Sequence, residues 1–329
     1  MPRHVRTRRL LIATAAMATV LAMVVPAWAS FPDQGNRVVF ARSKSMSRVP
    51  APPRGVGGFD LFTMKANGDD ASRVVRTDAL MEYGGHAAPD GSRMVFTGLK
   101  GKGQADIYTT DADGSHRQKL TTSGNNFSPN WSKNGQQIVW ARAMPLRVAP
   151  FPYVKVRRGG GGGLMVMNAD GSDKHSIASG LVFSPGWSPS AGRIAYSTVD
   201  GDSLDIWTIK PSGSDAEQLT DYGVGSYTIF GDWAPDGDSF AFTWRAGARG
   251  GSDFTLWVAP RANPTETQLL ASGVDELFAP VFTADGSRVI FVRQDGSDFE
   301  LYSVRVDGTG ERQLTTNNAE DILSVVPLF

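Results

Sequence analysis

Short bursts of alternating apolar and polar residues run the length of the chain, each closed by a Gly-, Asp- or Asn-containing turn. Residues 127–140 read FSPNWSKNGQQIVW and residues 183–196 read FSPGWSPSAGRIAY. Both phrases place an aromatic, Ser-Pro, Trp-Ser, a turn and an apolar strand in the same order. Self-similarity at a fixed interval marks a repeat architecture. With Trp131 as anchor, Trp187 and Trp233 fill the same position, and Phe282, Ala87 and Phe31 fill it more loosely. Nine residues beyond the anchors stand Phe40, Phe96, Trp140, Tyr196, Phe242 and Phe291, all aromatic.

Each copy continues with a third apolar strand: DLFTM (60–64), DIYTT (106–110), GLMVM (163–167), DIWTI (205–209), TLWVA (255–259) and ELYSV (300–304). Turns follow (ANGDD, DADGS, NADGS, PSGSD, ANPTE, VDGTG), then short fourth strands ending in QLT or its variants. Strand alternation punctuated by such turns predicts antiparallel hairpins, and no segment has a helical period. Four-stranded units of roughly 45–55 residues predict β-propeller blades, because a lone meander cannot bury both faces. The expected fold is all-β, a six-bladed β-propeller of four-stranded antiparallel blades. The first copy begins at Phe31 and lacks an innermost strand, whereas Pro327-Leu328-Phe329 aligns with Pro129-Asn130-Trp131. A C-terminal strand lying beside Val38–Phe40 would join the first blade and close the ring, removing exposed edges.

Residues 1–29 fall outside this pattern. MPRHVRTRR is basic, LLIATAAMATVLAMVV is apolar, and Ala27-Trp28-Ala29 is a small-x-small cleavage signal. They read as a signal peptide, followed by the propeller over 30–329. Export to a periplasmic or extracellular location is expected, an uncleaved N-terminal anchor being the alternative. No later segment is apolar enough to span a bilayer, so no integral span is expected after processing. Net charge is zero, which lacks the basic excess of nucleic-acid binders. The absence of Cys excludes disulfides and thiolate chemistry.

WSPDG-like turns (APDG at 88–91, WAPDG at 233–237, TADG at 283–286), an I-x-[YW] third strand, the DG turn and the terminal QLT resemble the WD-like repeats of the TolB-like propeller family. The resemblance covers roughly 31–329 and implies the fold more than a function. TolB proteins carry an α/β domain before the propeller, and prolyl-oligopeptidase relatives a hydrolase domain after it. Neither is legible here, nor is a G-x-S-x-G elbow, so a bare propeller is expected.

Candidate chemistry is sparse. The Asp111–Gly114 and Asn168–Gly171 turns lack the further oxygens of calcium loops and read as hairpin turns. His86 falls on an inner strand and His116 and His175 towards the rim, so no three-His metal site is expected. No metal, cofactor or catalytic residue is assigned. The loops between second and third strands are basic at 42–58, 99–104, 142–163 and 245–251. In a propeller they share one face, the Asp-rich turns occupying the other. The longest loop carries Arg147, Tyr153, Lys155, Arg157 and Arg158 before a run of Gly. Glu82, His86, Asn125, Asn126, Tyr227 and Glu276 are expected near the channel mouth. The pattern predicts a monomeric binding scaffold presenting a basic face to a protein or an anionic envelope glycan, with no nucleic-acid partner. The alternative is an enzyme on glycan or peptide, using Glu82 and Glu276 as an acid/base pair.

Overall fold

The computed structural model describes residues 30–31, 36–43, 59–75, 80–100, 104–143, 162–190, 192–246, 253–275, 278–295, 298–316, 321–322 and 324–325. All regular structure among them is β-strand, paired almost entirely antiparallel. The second meander runs Leu80–Ala87, Arg93–Lys100, Gln104–Asp111 and Gln118–Lys119. The third runs Asn125–Trp131, Gln137–Ala143, Gly163–Asn168 and His175–Ser179. The fourth runs Val182–Trp187, Ile194–Asp200, Ser203–Ile209 and Glu217–Gln218. The fifth runs Tyr227–Trp233, Ser239–Arg245, Phe254–Pro260 and Gln268–Val274. A parallel bridge from Leu204 to Tyr227 merges the fourth and fifth into one sheet. The last meander runs Val281–Phe282, Arg288–Asp295, Asp298–Arg305 and Arg312–Gln313. Pro280, which has no N–H for the ladder, separates its first strand from Phe278–Ala279.

The anchors and the aromatics nine residues on form the core. Trp131, Trp187, Trp233 and Phe282 are buried, as are Phe40, Phe96, Trp140, Tyr196, Phe242 and Phe291. The apolar clusters lie between meanders rather than within them. Ile107, Trp131 and Trp140 join the second to the third; Val139, Leu164 and Trp187 join the third to the fourth; Ile206, Phe230 and Trp233 join the fourth to the fifth. Leu256, Phe282 and Phe291 join the fifth to the last, and Ile290, Val292 and Leu301 of the last share a cluster with Val39, Phe40 and Leu61 of the first. Each aromatic thus buries its area against a neighbouring sheet, contributing about 1.5–3 kcal/mol.

The repeated Phe-Ser-Pro phrase encodes a bulge. Ser128 and Ser184 have φ of 50° and 43°, and Gly84 fills the same place at 61°. The ladder register slips there in the second, third and fourth meanders. At the corresponding point of the fifth, a Cβ on Gly231 would approach Pro280 Cγ to 2.4 Å, so only glycine permits the two inner strands to lie this close.

The first meander differs from expectation. It comprises Ser30–Phe31, Arg37–Ser43, Phe59–Lys65 and Ser72–Val75. Ser30, not Phe31, opposes Val38, and Phe31 opposes Arg37. Asn36, with φ of 60°, immediately precedes the second strand, and Ser30–Phe31 fills part of the slot expected to be vacant. The rest of that inner edge comes from Asp321–Ile322, which pairs with Arg42 and Ala41. Ser324–Val325 then pairs with Ala279 and Phe278. Pro327–Phe329, expected beside Val38–Phe40, lie outside the described residues.

The fourth strands are also shorter than the QLT motif implies. Thr121, Thr220 and Thr315 leave the ladder because their Oγ1 atoms accept the third-strand N–H of Ile107, Ile206 and Leu301, each at 2.9 Å.

Candidate functional site

Antiparallel meanders have two ends. The turns after first and third strands share one, and the loops between second and third strands occupy the other.

At the turn end the Asp and Asn side chains are used locally. Asp90, Asp113, Asp170, Asp236, Asp285 and Asp307 each accept the backbone N–H two residues on, at 2.8–3.0 Å. These are Asx turns, the hairpin reading expected from sequence rather than calcium loops. A second recurrent device is the arginine at the start of the second strand or, for Arg193, immediately before it. Arg37, Arg93, Arg193 and Arg288 each reach a third-strand Thr or Ser hydroxyl: Thr63, Thr109, Thr208 and Ser303. His116 lies against Asp111 Oδ2 (2.6 Å) on an exposed turn, and His175 is likewise exposed, so neither meets His86. Among the described residues no group of three or more His, Asp or Glu could hold a metal ion.

Towards the loop end the third strands of the second, fourth and last meanders each carry a buried acid at their third residue. Asp106, Asp205 and Glu300 each accept a hydrogen bond from the QLT threonine, Thr121, Thr220 and Thr315 respectively. Asp106 also has Lys119 Nζ at 2.6 Å, and Asp60 of the first meander has Arg73 at 3.4 Å. In the fourth meander Gln218 replaces the lysine. Burial, then Asp221 and Asp200, push the Asp205 carboxyl up to about 6. This end is therefore not uniformly basic, since Asp200, Asp202 and Asp295 bring carboxylates to it.

The expected mouth residues separate into several environments. Glu82 is fully enclosed. Asn126 is buried and spent on structure: it accepts Trp140 Nε1–H at 2.8 Å and donates to the Ser123 carbonyl at 3.1 Å. Asn125 Oδ1 accepts the Ala105 N–H at 3.4 Å. Tyr227 remains partly exposed, with the Arg245 guanidinium 4.6 Å from its ring centroid and 4.9 Å from that of Phe254. Arg147, Tyr153, Lys155, Arg157, Arg158 and Glu276 lie outside the described residues.

His86 keeps partial exposure but is enclosed by protein on most sides, and burial pulls it down to about 4. It sits one residue before the anchor, with Asn130 Nδ2 3.4 Å from its Nδ1. The same position holds Asp232, which the sequence reading passed over. Asp232 is buried and pushed up to about 7 by that burial, against the lowering effect of hydrogen bonds from the Phe282 and Trp233 N–H groups. Its signal was positional, a carboxylate immediately before the anchor Trp233. The anchor row is itself stitched between meanders. Trp131 Nε1 donates to the His86 carbonyl (3.2 Å) and Trp233 Nε1 to that of Gly186 (3.3 Å).

No protein-family model matches the chain. It is 26% identical over 178 residues to an uncharacterised protein of Agrobacterium fabrum, Atu1656, a match spanning 50% of this chain and 56% of that protein. The crystal structure of TolB from Acinetobacter baumannii superimposes with a TM-score of 0.71 at 16% identity, over 87% of this chain and 65% of TolB. An oligogalacturonate lyase in complex with manganese superimposes with a TM-score of 0.59 at 13% identity, over 88% of this chain and 77% of the lyase. The chain thus spans a little over half of the curated relative and about two thirds of TolB. These likenesses show the fold, a TolB-like β-propeller. Among the described residues no helix is long and apolar enough to cross a membrane.

Proposed function

We propose that the protein is an exported binding scaffold: six blades in one ring, closed where the C-terminal segment joins the first meander, with the loop end offered to a protein or an anionic envelope glycan. The observation that carries this reading is the Arg245 guanidinium stacked between Tyr227 and Phe254 at that end. Aromatic-framed arginine is a recurrent hot-spot arrangement at interfaces. The basic loops carrying Arg147, Lys155, Arg157 and Arg158, with Tyr153, would extend the same surface. Export rests on the pattern of residues 1–29.

The inner-strand polar residues weigh against chemistry at the mouth. Asn126 is committed to Trp140 and to backbone, and Glu82 has no exposed surface from which to protonate a glycan. Charge reversal at Arg245, Arg147, Lys155, Arg157 and Arg158 should abolish crosslinking to the partner that the wild-type protein captures in its native envelope. Unchanged capture contradicts the basic-surface reading. If the protein is instead an enzyme, Glu82→Gln and Glu276→Gln should each remove turnover while leaving capture intact.

A further inference from the structure

We infer that the turn end of the last meander holds a binding site for a tetrahedral oxyanion, a phosphate or sulfate group, built from Arg288, Arg305 and Arg312 around Gly310. This site lies at the opposite end of the sheets from the basic loops and stands independently of the proposed function.

Equivalent positions in other meanders show what has changed. Arg37, first in its second strand, and Arg193, immediately before its own, are matched by carboxylates: Arg37 to Asp70 at 2.7 Å, Arg193 to Asp215 at 3.0 Å and to Glu217 at 3.6 Å. The same aspartates also meet the lysine at the end of the third strand, Lys65 at 4.0 Å and Lys210 at 3.1 Å. Asp70 and Asp215 occupy a left-handed backbone position, with φ of 58° and 61°. In the last meander that position is Gly310, with φ of 62°. Arg305 stands where the lysine stood, and Arg312 stands where Glu217 stood. Every cation of the motif is kept, one is added, and both carboxylates are gone.

The guanidinium groups converge. Arg288 donates from Nε to Ser303 Oγ at 3.0 Å, and from Nη2 to the Ser303 carbonyl at 3.1 Å and to the Gly310 carbonyl. Arg312 Nε reaches the same Ser303 Oγ at 3.3 Å. Arg305 lies directly over Gly310: a Cβ there would come within 2.4 Å of its Nη1. Burial first, then the charges of Arg312 and Arg305, depress the pKa of Arg288.

Asp285 and Asp307 offset part of the repulsion at Arg288, but among the described residues the carboxylates nearby are hydrogen-bonded or paired with other groups and none contacts the three arginines. Asp285 accepts from Thr283 Oγ1 and the Ser287 N–H, Asp307 from Thr309, and Glu311 forms a two-pronged pair with Arg293 at 2.6 and 3.1 Å. Among the described residues none of the three arginines forms an ion pair. Like charges gathered in a part-buried site repel unless an anion joins them. Arginine forks suit oxyanions geometrically, and three forks suit three acceptor oxygens better than the two of a carboxylate. Arg288 is held by backbone carbonyls, Arg305 Nη1 by Thr309 Oγ1 at 3.3 Å and Arg312 Nη2 by the Ala66 carbonyl at 3.4 Å, so little ordering is needed on binding, and the exposure of Arg305 and Arg312 leaves the site accessible.

Calorimetric titration of the full chain with inorganic phosphate and with inorganic sulfate should give saturable binding that weakens as salt is added. Gly310→Asp supplies the carboxylate seen at Asp215 and should weaken that binding by at least about tenfold. Arg305→Ala and Arg312→Ala, both exposed, should do the same without burdening the fold, and Lys210→Ala in the fourth meander should leave it unchanged. Saturation by phosphate alone assigns a phosphate group, and by sulfate alone a sulfate group. Acetate binding as tightly as either, undiminished binding in Gly310→Asp and the arginine variants, or no saturable binding of either anion overturns the proposal.

Discussion

The first meander and the fifth do the same job by different means. In the fifth, one continuous strand, Tyr227–Trp233, forms the inner edge and carries its own anchor. In the first, that edge is assembled from both ends of the described chain, Ser30–Phe31 and Asp321–Ile322. The continuous edge is held by apolar area and by the indole bond of Trp233. The composite edge is held by charge: Arg42 meets both Asp321 carboxylate oxygens at 2.6 Å, with its guanidinium 5.2 Å from the Phe40 ring and 5.1 Å from Phe62. The Asp321 side chain is wholly buried. Where the chain cannot supply connectivity, a charge-assisted clasp fixes register instead.

The sharpest way to break this contrast is to remove each device in turn. Trp233→Ala should cost about 3–5 kcal/mol in chemical denaturation, the range for losing a buried large aromatic. Asp321→Ala should cost about 3 kcal/mol, because it strands Arg42 beside a half-buried site. Loss of register at the first meander should accompany it, seen as faster hydrogen exchange at Ala41 and Arg42 but not at Phe242. If Asp321→Ala is silent, the clasp is ornamental.

The inner edges of the second and fifth meanders can be compared by pH. His86 is lowered to about 4, so the unfolded chain takes a proton near 6.5 that the folded one refuses; stability present above 6.5 is lost as pH falls towards 4. Asp232 is raised to about 7, so the folded chain keeps a proton that the unfolded one releases near 3.8; stability present below 3.8 is lost as pH rises towards 7. Across their full windows the two effects should be on the order of 3 kcal/mol for His86 and 4 kcal/mol for Asp232, and between 4 and 6.5 they oppose. Relative to wild type, His86→Asn should tilt the profile towards stability falling as pH rises, and Asp232→Asn should tilt it the other way against the constant contribution of Asp205, which is itself raised to about 6, both readable from denaturation midpoints across that window. The smallest effect belongs to Asp215→Ala. Its carboxylate is largely exposed although Arg193 is not, so any shift of the midpoint should be small.

The repeat was legible in the sequence because burial imposes a period. The anchors and the aromatics nine residues on alternate with polar positions, and the structure buries them together. The details that escaped depend on backbone or on distant pairing. Ser128 and Ser184 looked like ordinary strand residues, yet they adopt positive φ at the bulge. The first inner edge, expected to lack a strand of its own, holds Ser30–Phe31, where Phe31 matches the anchors in kind while Ser30 matches them in pairing. At the candidate sites, Asn125 and Asn126 looked available because polar residues at strand starts resemble a mouth, but their hydrogen bonds go inward. Gly310 stood visibly in VDGTG against Asp215 in PSGSD. The meaning of that difference depends on where Arg288 and Arg305 lie in space.

Arg42 and Asp321, 279 residues apart in the chain, meet on the first sheet, and Ala41 lies opposite Ile322 beside them. The protein has no cysteine, so a pair introduced at Ala41 and Ile322, which face each other in the ladder, would be the only thiols present. Oxidation of the Ala41→Cys, Ile322→Cys double variant should give an intramolecular disulfide in nearly all folded molecules, and its midpoint should rise relative to the reduced form. Free thiols persisting in the folded protein under oxidation, or crosslinks only between molecules, would contradict this pairing.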